Sequence, residues 1–439
     1  MPEIRPFRAL RFNPDVVPDL ARVVAPPYDV ISSDQRAVLA ARDPHNVVVI
    51  DLPVDLPGAA DPDDKYRLAA RTFGSWRSDG SLSKDPHPAL YVYEQAYVLP
   101  GSDLRRWQRG FYARVKLEAF GPGSGILPHE RTLQGPREDR HKLMRASGAN
   151  FSGIVGLFSD STGDASKLLA DATAGAAIAD VTDDDGVRHR LWMLPDDGPT
   201  APRVAALRAA AGRAPITIAD GHHRYETALR YRDERRLTSS REEDPAFDYV
   251  LMLLLDVESG SLTVLPTHRV ARGVPDPAGL LQAARALFDV TPADAAALVR
   301  AFGPSAATPG GSGRFGLWTR AGGALLEARR DSFEGLLPPG GDALRRLDVT
   351  LLAAALERLT GIDRAATASG GRVAYTKSAV EAIAWVNGSV DGADVAFLLE
   401  PTPVREIIAV ATDGDVMPQK STYFYPKPLT GFVINPLEW

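Results

Sequence analysis

The sequence contains no cysteine among its 439 residues, and this absence excludes several kinds of site. Disulfide bonds, thiolate zinc sites and cysteine nucleophiles all require the missing side chain. Long apolar runs are absent as well, because the longest one, residues 249–255, is far too short to cross a bilayer. Residues 1–5 lack the apolar segment of a signal peptide. We therefore expect a soluble, cytoplasmic protein with no membrane partner.

An excess of positive charge is also missing from the chain. The 50 Lys and Arg residues stand against 56 Asp and Glu residues, which leaves a formal net charge of −6. Domains that bind nucleic acid by general attraction are usually basic, so we expect no nucleic-acid partner. Hydrophobic residues make up 44% of the chain and charged residues 24%, as in ordinary globular proteins with a full core.

Strand-like and helix-like segments alternate along the chain, which predicts an α/β fold, or an α+β fold, with mixed sheets. Ser32 and Gln35 form a capping-box pattern that predicts the start of a helix. Residues 47–52 are an apolar run typical of a buried strand. Residues 247–257 and 262–265 flank a Ser-Gly turn, and this arrangement predicts a hairpin.

The domain organisation is predicted from the same pattern. We divide the chain into an α/β region over residues 1–240 and a second α/β region over residues 241–439, with one intertwined unit as the alternative. Residues 303–313 are rich in Gly, Pro, Ser and Ala, which is typical of a linker. Residues 342–359 have the pattern of a single helix.

The most informative stretch is residues 219–227, Ala-Asp-Gly-His-His-Arg-Tyr-Glu-Thr, which follows a short apolar run. Asp220 is a natural N-cap, and Gly221 lets the backbone come close to a ligand. Beside a helix N-terminus, His222, His223 and Arg224 suit the binding of phosphate. A helix cap needs only one residue, so this cluster indicates a site. Adjacent histidines point about 100° apart on a helix, which disfavours zinc. A magnesium ion held by Asp220 or Glu130 and by phosphate oxygens fits these residues better.

Further polar clusters occur where predicted elements end. In the loop 129–132, Glu130 is a candidate general base and His129 a candidate proton carrier, although local hydrogen bonding explains this loop equally well. His268 and Arg269, which follow a Pro-Thr pair, are candidate phosphate contacts, although charge at a strand end also marks the point at which the chain leaves the core. A fourth cluster, with candidate contacts to a nucleotide, comprises Lys420, Ser421 and Thr422 beside three aromatic residues. It is not a Walker A loop, because no G-x-x-x-x-G-K-[ST] pattern occurs.

Five motifs together resemble a large prokaryotic family of unknown function, the domain of unknown function family 1015. These motifs occupy residues 26–31, 128–130, 218–228, 266–269 and 417–422. The central motif is also similar to the ParB/sulfiredoxin superfamily, which includes the free-serine kinases. This resemblance implies that Gly221, His223 and Arg224 contact nucleotide phosphates and that Asp220 lies near the transferred group. It also implies a catalytic glutamate, for which Glu130 is the candidate.

The residues and the resemblance together predict a phosphotransferase. It would move a phosphoryl group between ATP or ADP and a small hydroxylated metabolite, with free serine as the leading acceptor and Mg²⁺ as the cofactor. Two other functions stay open at this stage. One is a ParB-like nucleotide-binding regulator. The other is a phosphate-ester hydrolase that uses His129, Glu130 and His268.

Overall fold

The structure is a computed structural model. It describes residues 1–58, 60–130, 132, 134–238, 243–304, 311–363, 366–367 and 370–439, and for residues 134–136 it describes the backbone alone. Arg131 and residues 305–310 of the predicted linker therefore lie outside the described residues.

Helices and strands alternate through the described chain. The helices are α1 (Leu20–Val23), α2 (Ser33–Arg42), α3 (Val48–Asp51), α4 (Asp64–Ser78), α5 (Gln134–Ser147), α6 (Asp164–Ala172), α7 (Ala201–Ala211), α8 (His222–Thr238), α9 (Leu280–Ala283), α10 (Ala295–Phe302), α11 (Asp342–Arg346), α12 (Asp348–Thr360), α13 (Ala379–Gly388) and α14 (Val404–Thr412). The strands of the first half are β1 (Ile4–Arg5), β2 (Leu10–Phe12), β3 (Leu82–Lys84), β4 (Ala89–Val98), β5 (Arg105–Lys116), β6 (Ile126–Leu127), β7 (Ala149–Asn150), β8 (Ile154–Phe158), β9 (Ala179–Thr182), β10 (Arg188–Pro195) and β11 (Ile216–Asp220). The remaining strands are β12 (Tyr249–Asp256), β13 (Thr263–Leu265), β14 (His268–Arg272), β15 (Phe288–Ala293), β16 (Arg314–Thr319), β17 (Gly322–Ala328), β18 (Val373–Thr376), β19 (Ala393–Leu399), β20 (Tyr423–Tyr425) and β21 (Asn435–Pro436).

Two large sheets organise the chain. The first has the order β6-β11-β8-β12-β5-β4-β10-β9, with β1 added against β5. Its β6–β11 and β8–β12 pairs are parallel and its other pairs are antiparallel, so the predicted α/β class with mixed sheets is confirmed. The second sheet has the order β15-β17-β16-β19-β14-β18 and is antiparallel throughout.

The alternation of side chains along β14 divides the second sheet into two apolar faces. Val270 packs with residues of α10 and α13 on one face. Ala271 belongs to the core that includes Leu351 and Leu356 of α12 on the other face. Arg269 shares this second face with Ala271, because the two residues are two positions apart in the strand.

The local expectations have different outcomes. The capping box is confirmed, since Ser32 and Gln35 exchange both of its hydrogen bonds before α2. The strand expected over residues 47–52 is wrong: these residues include the short helix α3. A short apolar run fits a buried helix as well as a buried strand. Here the neighbouring contacts select the helix, with the Val47 N–H donating to the Val23 carbonyl at 2.7 Å.

Two other expectations also need correction. The hairpin over residues 247–265 does not form, because β12 lies between β8 and β5 whereas β13 pairs with β20. The apolar run of β12 is buried on both faces, so it belongs at the centre of a sheet. The helix expected over residues 342–359 is divided into α11 and α12 at Leu347, whose backbone is extended.

Strands from both sides of residue 240 pair with one another. β12 follows residue 240 and yet lies in the first sheet, and β21 near the end of the chain pairs with β7. The division at residue 240 stays a prediction. Within the described residues, no helix combines the length and apolar character that crossing a bilayer requires.

Candidate functional site

The connection from β11 to α8 carries the central motif. Asp220 ends the strand, His222 begins the helix, and Gly221 between them has a φ of 95°. A Cβ atom at Gly221 would lie 3.0 Å from Nε of Arg224, so both the backbone conformation and the close side chain favour glycine. The strand–turn–helix context expected for the motif is present. Asp220 stands one position too early to cap the helix, and its carboxylate instead contacts side chains.

Asp220 lies between two cations. Its Oδ2 accepts a hydrogen bond from Nη2 of Arg224 at 2.6 Å, and its Oδ1 pairs with Nζ of Lys427. Nη1 of Arg224 donates to the carbonyl oxygen of Gly153. Burial alone would raise the pKa of Asp220, but Lys427 and Arg224 hold it well below its usual value. The Arg224 guanidinium therefore fastens the start of α8 to the residue before β8.

The two buried histidines His129 and His222 contact each other edge to face, with ring centroids 4.6 Å apart. The backbone N–H of His129 donates to Nε2 of His222 at 3.2 Å. Nδ1 of His129 is 2.6 Å from the Ile218 carbonyl, and its Nε2 is 3.0 Å from Oγ1 of Thr422. Since a carbonyl only accepts, Nδ1 carries the proton and Nε2 accepts from the threonine hydroxyl. Burial lowers the pKa of His129 to about 4, in keeping with this neutral form.

Glu130 contacts the segment 417–422, which runs alongside the loop 129–132. The His129 carbonyl accepts the Met417 N–H at 2.8 Å, and Oε1 of Glu130 accepts the Lys420 N–H at 3.2 Å. Lys420 reaches this position with a left-handed φ of 57°. Burial raises the pKa of Glu130, although the amide and charge of Lys420 oppose the shift. The structure thus brings together two of the clusters that the sequence analysis singled out.

Lysine side chains gather around one aromatic ring beside this cluster. Nζ of Lys377 lies 4.1 Å and Nζ of Lys427 4.7 Å from the ring centroid of Tyr423. Burial, followed by the charge of Lys427, lowers the pKa of Lys377, and Lys420 contributes in the same direction. The sequence analysis missed Lys377, which follows β18 in no recognisable motif. Only its electrostatic neighbours in the folded chain identify it.

Lys377, Lys427 and Tyr423 line a cleft of about 610 Å³. One wall is apolar and comes from α2 and the segment before it, with Val24, Pro26, Ile31, Val38 and Leu39 among its residues. The lining also includes the acidic turn 183–185. The cleft therefore combines an apolar wall, an aromatic ring and two ammonium groups, one of which also contacts Asp220 at the start of α8. Such a combination of apolar walls with a few convergent polar groups is typical of small-molecule sites.

Comparison with known proteins agrees with the motif pattern. A family model described as "Protein of unknown function (DUF1015)" matches residues 4–350, which is most of the chain. The chain belongs to this family. The membership predicted from the five motifs is thus confirmed, and none of the curated proteins is a significant match to this member of the DUF1015 family.

Several solved structures resemble this DUF1015 member weakly. A free serine kinase in complex with AMP is 12% identical, with a TM-score of 0.35, over 72% of this chain and 88% of its own. A conserved hypothetical protein from Pyrococcus furiosus is 14% identical, with a TM-score of 0.34, over 71% and 92%. SbnI with C-terminal truncation, from Staphylococcus aureus, is 14% identical, with a TM-score of 0.34, over 71% and 84%.

The remaining predicted site residues occupy different positions. His223 is partly buried in the first turn of α8, and burial lowers its pKa, with the charge of Lys420 acting in the same direction. Oγ of Ser421 donates to the Pro418 carbonyl within its own segment. His268 is buried inside the second sheet, where its Nδ1 accepts the Leu399 N–H at 3.3 Å. Arg269 lines a second cavity, whose lining also includes residues 417–419.

The expected magnesium ion has no assembled ligand set in the part of the chain that the structure describes. No group of three or more carboxylate or imidazole side chains there has a metal-binding arrangement. Both carboxylate oxygens of Asp220 are engaged by cationic side chains. A metal ion at Asp220 would have to replace Lys427 or Arg224.

Proposed function

We propose that this protein is a phosphotransferase that moves a phosphoryl group between ATP or ADP and a small hydroxylated metabolite. The observation that carries the proposal is the pair of ammonium groups, Lys377 and Lys427, against the Tyr423 ring in the cleft beside the start of α8. Clefts with converging cations and a helix N-terminus bind the phosphates of nucleotides.

Charge around Lys377 and Lys427 favours a polyanion, whereas the acidic turn 183–185 in the same lining opposes one. The lowered pKa of Lys377 reflects burial and repulsion from Lys427 and Lys420, and an anionic ligand between these groups relieves that repulsion. The first amides of α8 have no partners within the helix and add donors at the same end. In this proposal Gly221 and His223 approach the phosphates from the helix side, and Arg224 keeps that side in place through Asp220.

The rest of the nucleotide has a matching surface. In the proposal its base lies against the apolar wall of α2, and its phosphates point towards Lys377 and Lys427. The Tyr423 and Tyr425 side chains also line the cleft. Aromatic rings beside lysines suit a ligand with a flat apolar end and a charged end.

Glu130 is our choice for the residue that accepts a proton. The acceptor hydroxyl oxygen attacks the terminal phosphorus, the bond from phosphorus to the bridging oxygen of the nucleotide breaks, and the hydroxyl proton passes to Glu130. A carboxylate whose pKa is raised by burial suits this role. His129 is a positioning residue in this scheme, because its ring holds the Thr422 hydroxyl while its carbonyl holds the Met417 amide.

Magnesium would enter as the partner of the nucleotide phosphates and neutralise their charge. Because Asp220 is engaged by Arg224 and Lys427, it does not fit as the principal ligand. In this proposal, neither the attack on phosphorus nor the proton transfer to Glu130 depends on a metal ligand from the protein.

Nucleotide binding is the first test of the proposal. We expect titration calorimetry with ATP and ADP to detect binding, and Lys377→Met to weaken it by roughly 10- to 100-fold, the value of one charge-assisted hydrogen bond. Lys167→Met is the matched control, since its side chain is 76% exposed on α6. Failure of the wild-type protein to bind either nucleotide, or equal binding by both variants, contradicts the site.

Transfer is the second part of the same test. Phosphorus NMR of the protein with ATP or ADP, magnesium and serine, followed by a pool of hydroxylated metabolites, should show a new phosphate ester. Glu130→Gln should remove this product while nucleotide binding persists, because Glu130 acts on the acceptor. Phosphate release from a phosphorylated metabolite without any nucleotide would favour the hydrolase instead. Nucleotide binding without a new ester would favour the regulator.

A further inference from the structure

A second cavity of about 430 Å³ is lined in part by residues 417–419. Its walls are mainly apolar, with Leu344, Leu356, Ile362, Val416 and Met417 among the lining residues. None of the lysines of the first cleft and none of residues 220–224 is among the lining residues that the structure describes. The two cavities share no lining residue within the described chain.

Arg269 is the one cationic side chain among the described residues of this lining. It is only 4% exposed, and it lies on the face of β14 that packs against α12. Its described hydrogen bonds go to Thr267 alone, from Nη1 to the carbonyl at 2.8 Å and to Oγ1 at 3.5 Å. A guanidinium carries five N–H donors, so most of its donor capacity remains unused by the described residues.

The surroundings of Arg269 supply little opposite charge. The phenol ring of Tyr375, its direct neighbour across β14 and β18, lies 5.8 Å away. Burial lowers the pKa of Arg269, and no described carboxylate forms an ion pair with it. A buried charge without a counter-ion is unfavourable in a folded protein, so the position favours an anion that arrives with a ligand.

Two carboxylates limit how much negative charge that ligand can carry. Asp363 and Asp415 also line the cavity, and each accepts a backbone N–H, from Ala366 and from Gly341 respectively. Their charges repel a polyphosphate. The favoured ligand therefore has one negative charge for Arg269 and an apolar body for the remaining walls.

We propose that this cavity binds an amphipathic monocarboxylate, with the carboxylate paired to Arg269 and the apolar body between α12 and residues 416–418. The carboxylate accepts two parallel hydrogen bonds from the unused side of the guanidinium, which is the usual geometry of this pair. The size of the cavity suits a ligand of small-molecule dimensions. The site is independent of the phosphotransferase proposal, and each can fail without the other.

The test uses the full chain and octanoate as the probe. We expect octanoate to bind in titration calorimetry and to raise the melting temperature, and 1-octanol, which has the same chain without the charge, to bind at least about tenfold more weakly. Inorganic phosphate and ATP serve as the multiply charged anions. Competition between ATP and octanoate shows whether the two sites are separate.

Two variants locate the probe. Arg269→Met should reduce octanoate binding to the level of 1-octanol without lowering the melting temperature of the free protein, because an apolar residue replaces an uncompensated charge. Ala353→Phe, which adds a ring to the cavity wall on α12, should block both probes. Equal affinities for octanoate and 1-octanol, binding of phosphate in preference to octanoate, or octanoate binding that survives both substitutions would overturn the proposal. So would the absence of any octanoate binding by the wild-type protein.

Discussion

His129 connects distant segments of the chain through both ring nitrogens, and protonation would change the role of one of them, Nε2. Its Nε2 accepts from Thr422, and its Nδ1 donates to Ile218 of β11. A proton on Nε2 would replace an acceptor with a second donor, so the threonine hydroxyl could no longer donate to it. The neutral ring is thus part of the packing between β11 and residues 417–422.

This requirement makes stability depend on pH. The pKa of His129 is lowered from 6.5 to about 4 in the folded chain, so the unfolded chain binds a proton first as the pH falls. The contribution of His129 is therefore complete above about pH 6.5 and disappears as the pH approaches 4. It amounts to about 3 kcal/mol at most, since one pKa unit corresponds to about 1.4 kcal/mol.

Urea unfolding at pH 7.0 and pH 4.5 measures this effect as the loss of unfolding free energy between the two values. We expect the loss to be smaller in His129→Gln than in the wild-type protein. His87→Gln should lose as much as the wild type, because the His87 side chain is 61% exposed. Equal losses in all three proteins would contradict a neutral, buried His129.

Individual residues of the candidate site were predictable from the sequence only where the structure around them is formed by their immediate neighbours in the chain. Gly221, flanked by Asp220 and His222, predicts a tight turn between a strand and a helix from neighbouring residues alone. The structure has that turn. The role of Arg224 was less accessible, because its partner Gly153 lies in another segment. Lys377 had no local signal at all, since its importance depends on the ring of Tyr423 and on Lys427.

The same distinction applies to whole elements. The helix start at Ser32 was predictable because both hydrogen bonds of the capping box join residues three positions apart. Residues 47–52 and the partner of β13 were not, because long-range contacts determine them. The Val47 N–H donates to Val23, and β13 pairs with a strand some 160 residues later in the sequence.

At the start of α8, the tether through Arg224 should matter for the whole helix. We expect Arg224→Met to lower the free energy of unfolding by about 3 kcal/mol, because Asp220 loses one of its two cations and the Gly153 carbonyl loses its donor. Urea unfolding measures this change. The matched control on the same helix is Arg230→Met, whose exposed ion pair with Glu138 should cost less than about 1 kcal/mol. A loss for Arg224→Met no larger than that of the control would show that the tether is not needed.

On the scale of the whole molecule, residues 429–436 run back across the first half of the chain. The amides of Thr430 and Ile434 donate to Ala25 and Leu10, and β21 pairs with β7. Lys427, one of the two lysines of the proposed site, lies two residues before this segment. Its position against Asp220 therefore depends on how the segment is anchored, which connects the site to the packing of the chain end.

Asn435 provides that anchor through two buried partners, and its loss should weaken the whole fold. Its Oδ1 accepts from Nε of Arg114 at 2.7 Å, and its Nδ2 donates to Asn150 at 2.8 Å. Asn435→Ala leaves a buried guanidinium nitrogen and a buried amide oxygen with fewer partners. We expect it to lower the free energy of unfolding by about 2–4 kcal/mol and to increase hydrogen exchange in β12, where the Leu251 N–H donates to Asn150.

The control for this prediction is Glu438→Ala, which removes ion pairs with Arg77 and Lys84 from a side chain that is 48% exposed and keeps the backbone carbonyl that accepts from Arg114. Its effect should stay below about 1 kcal/mol. If Asn435→Ala also weakens nucleotide binding, the loss of this anchor changes the position of Lys427, because Asn435 itself is not among the residues that line the cleft. A stability loss in Asn435→Ala no larger than that of Glu438→Ala would mean that Arg114 is held by the Pro436 and Glu438 carbonyls alone, which accept from its Nη2 at 2.6 and 2.8 Å.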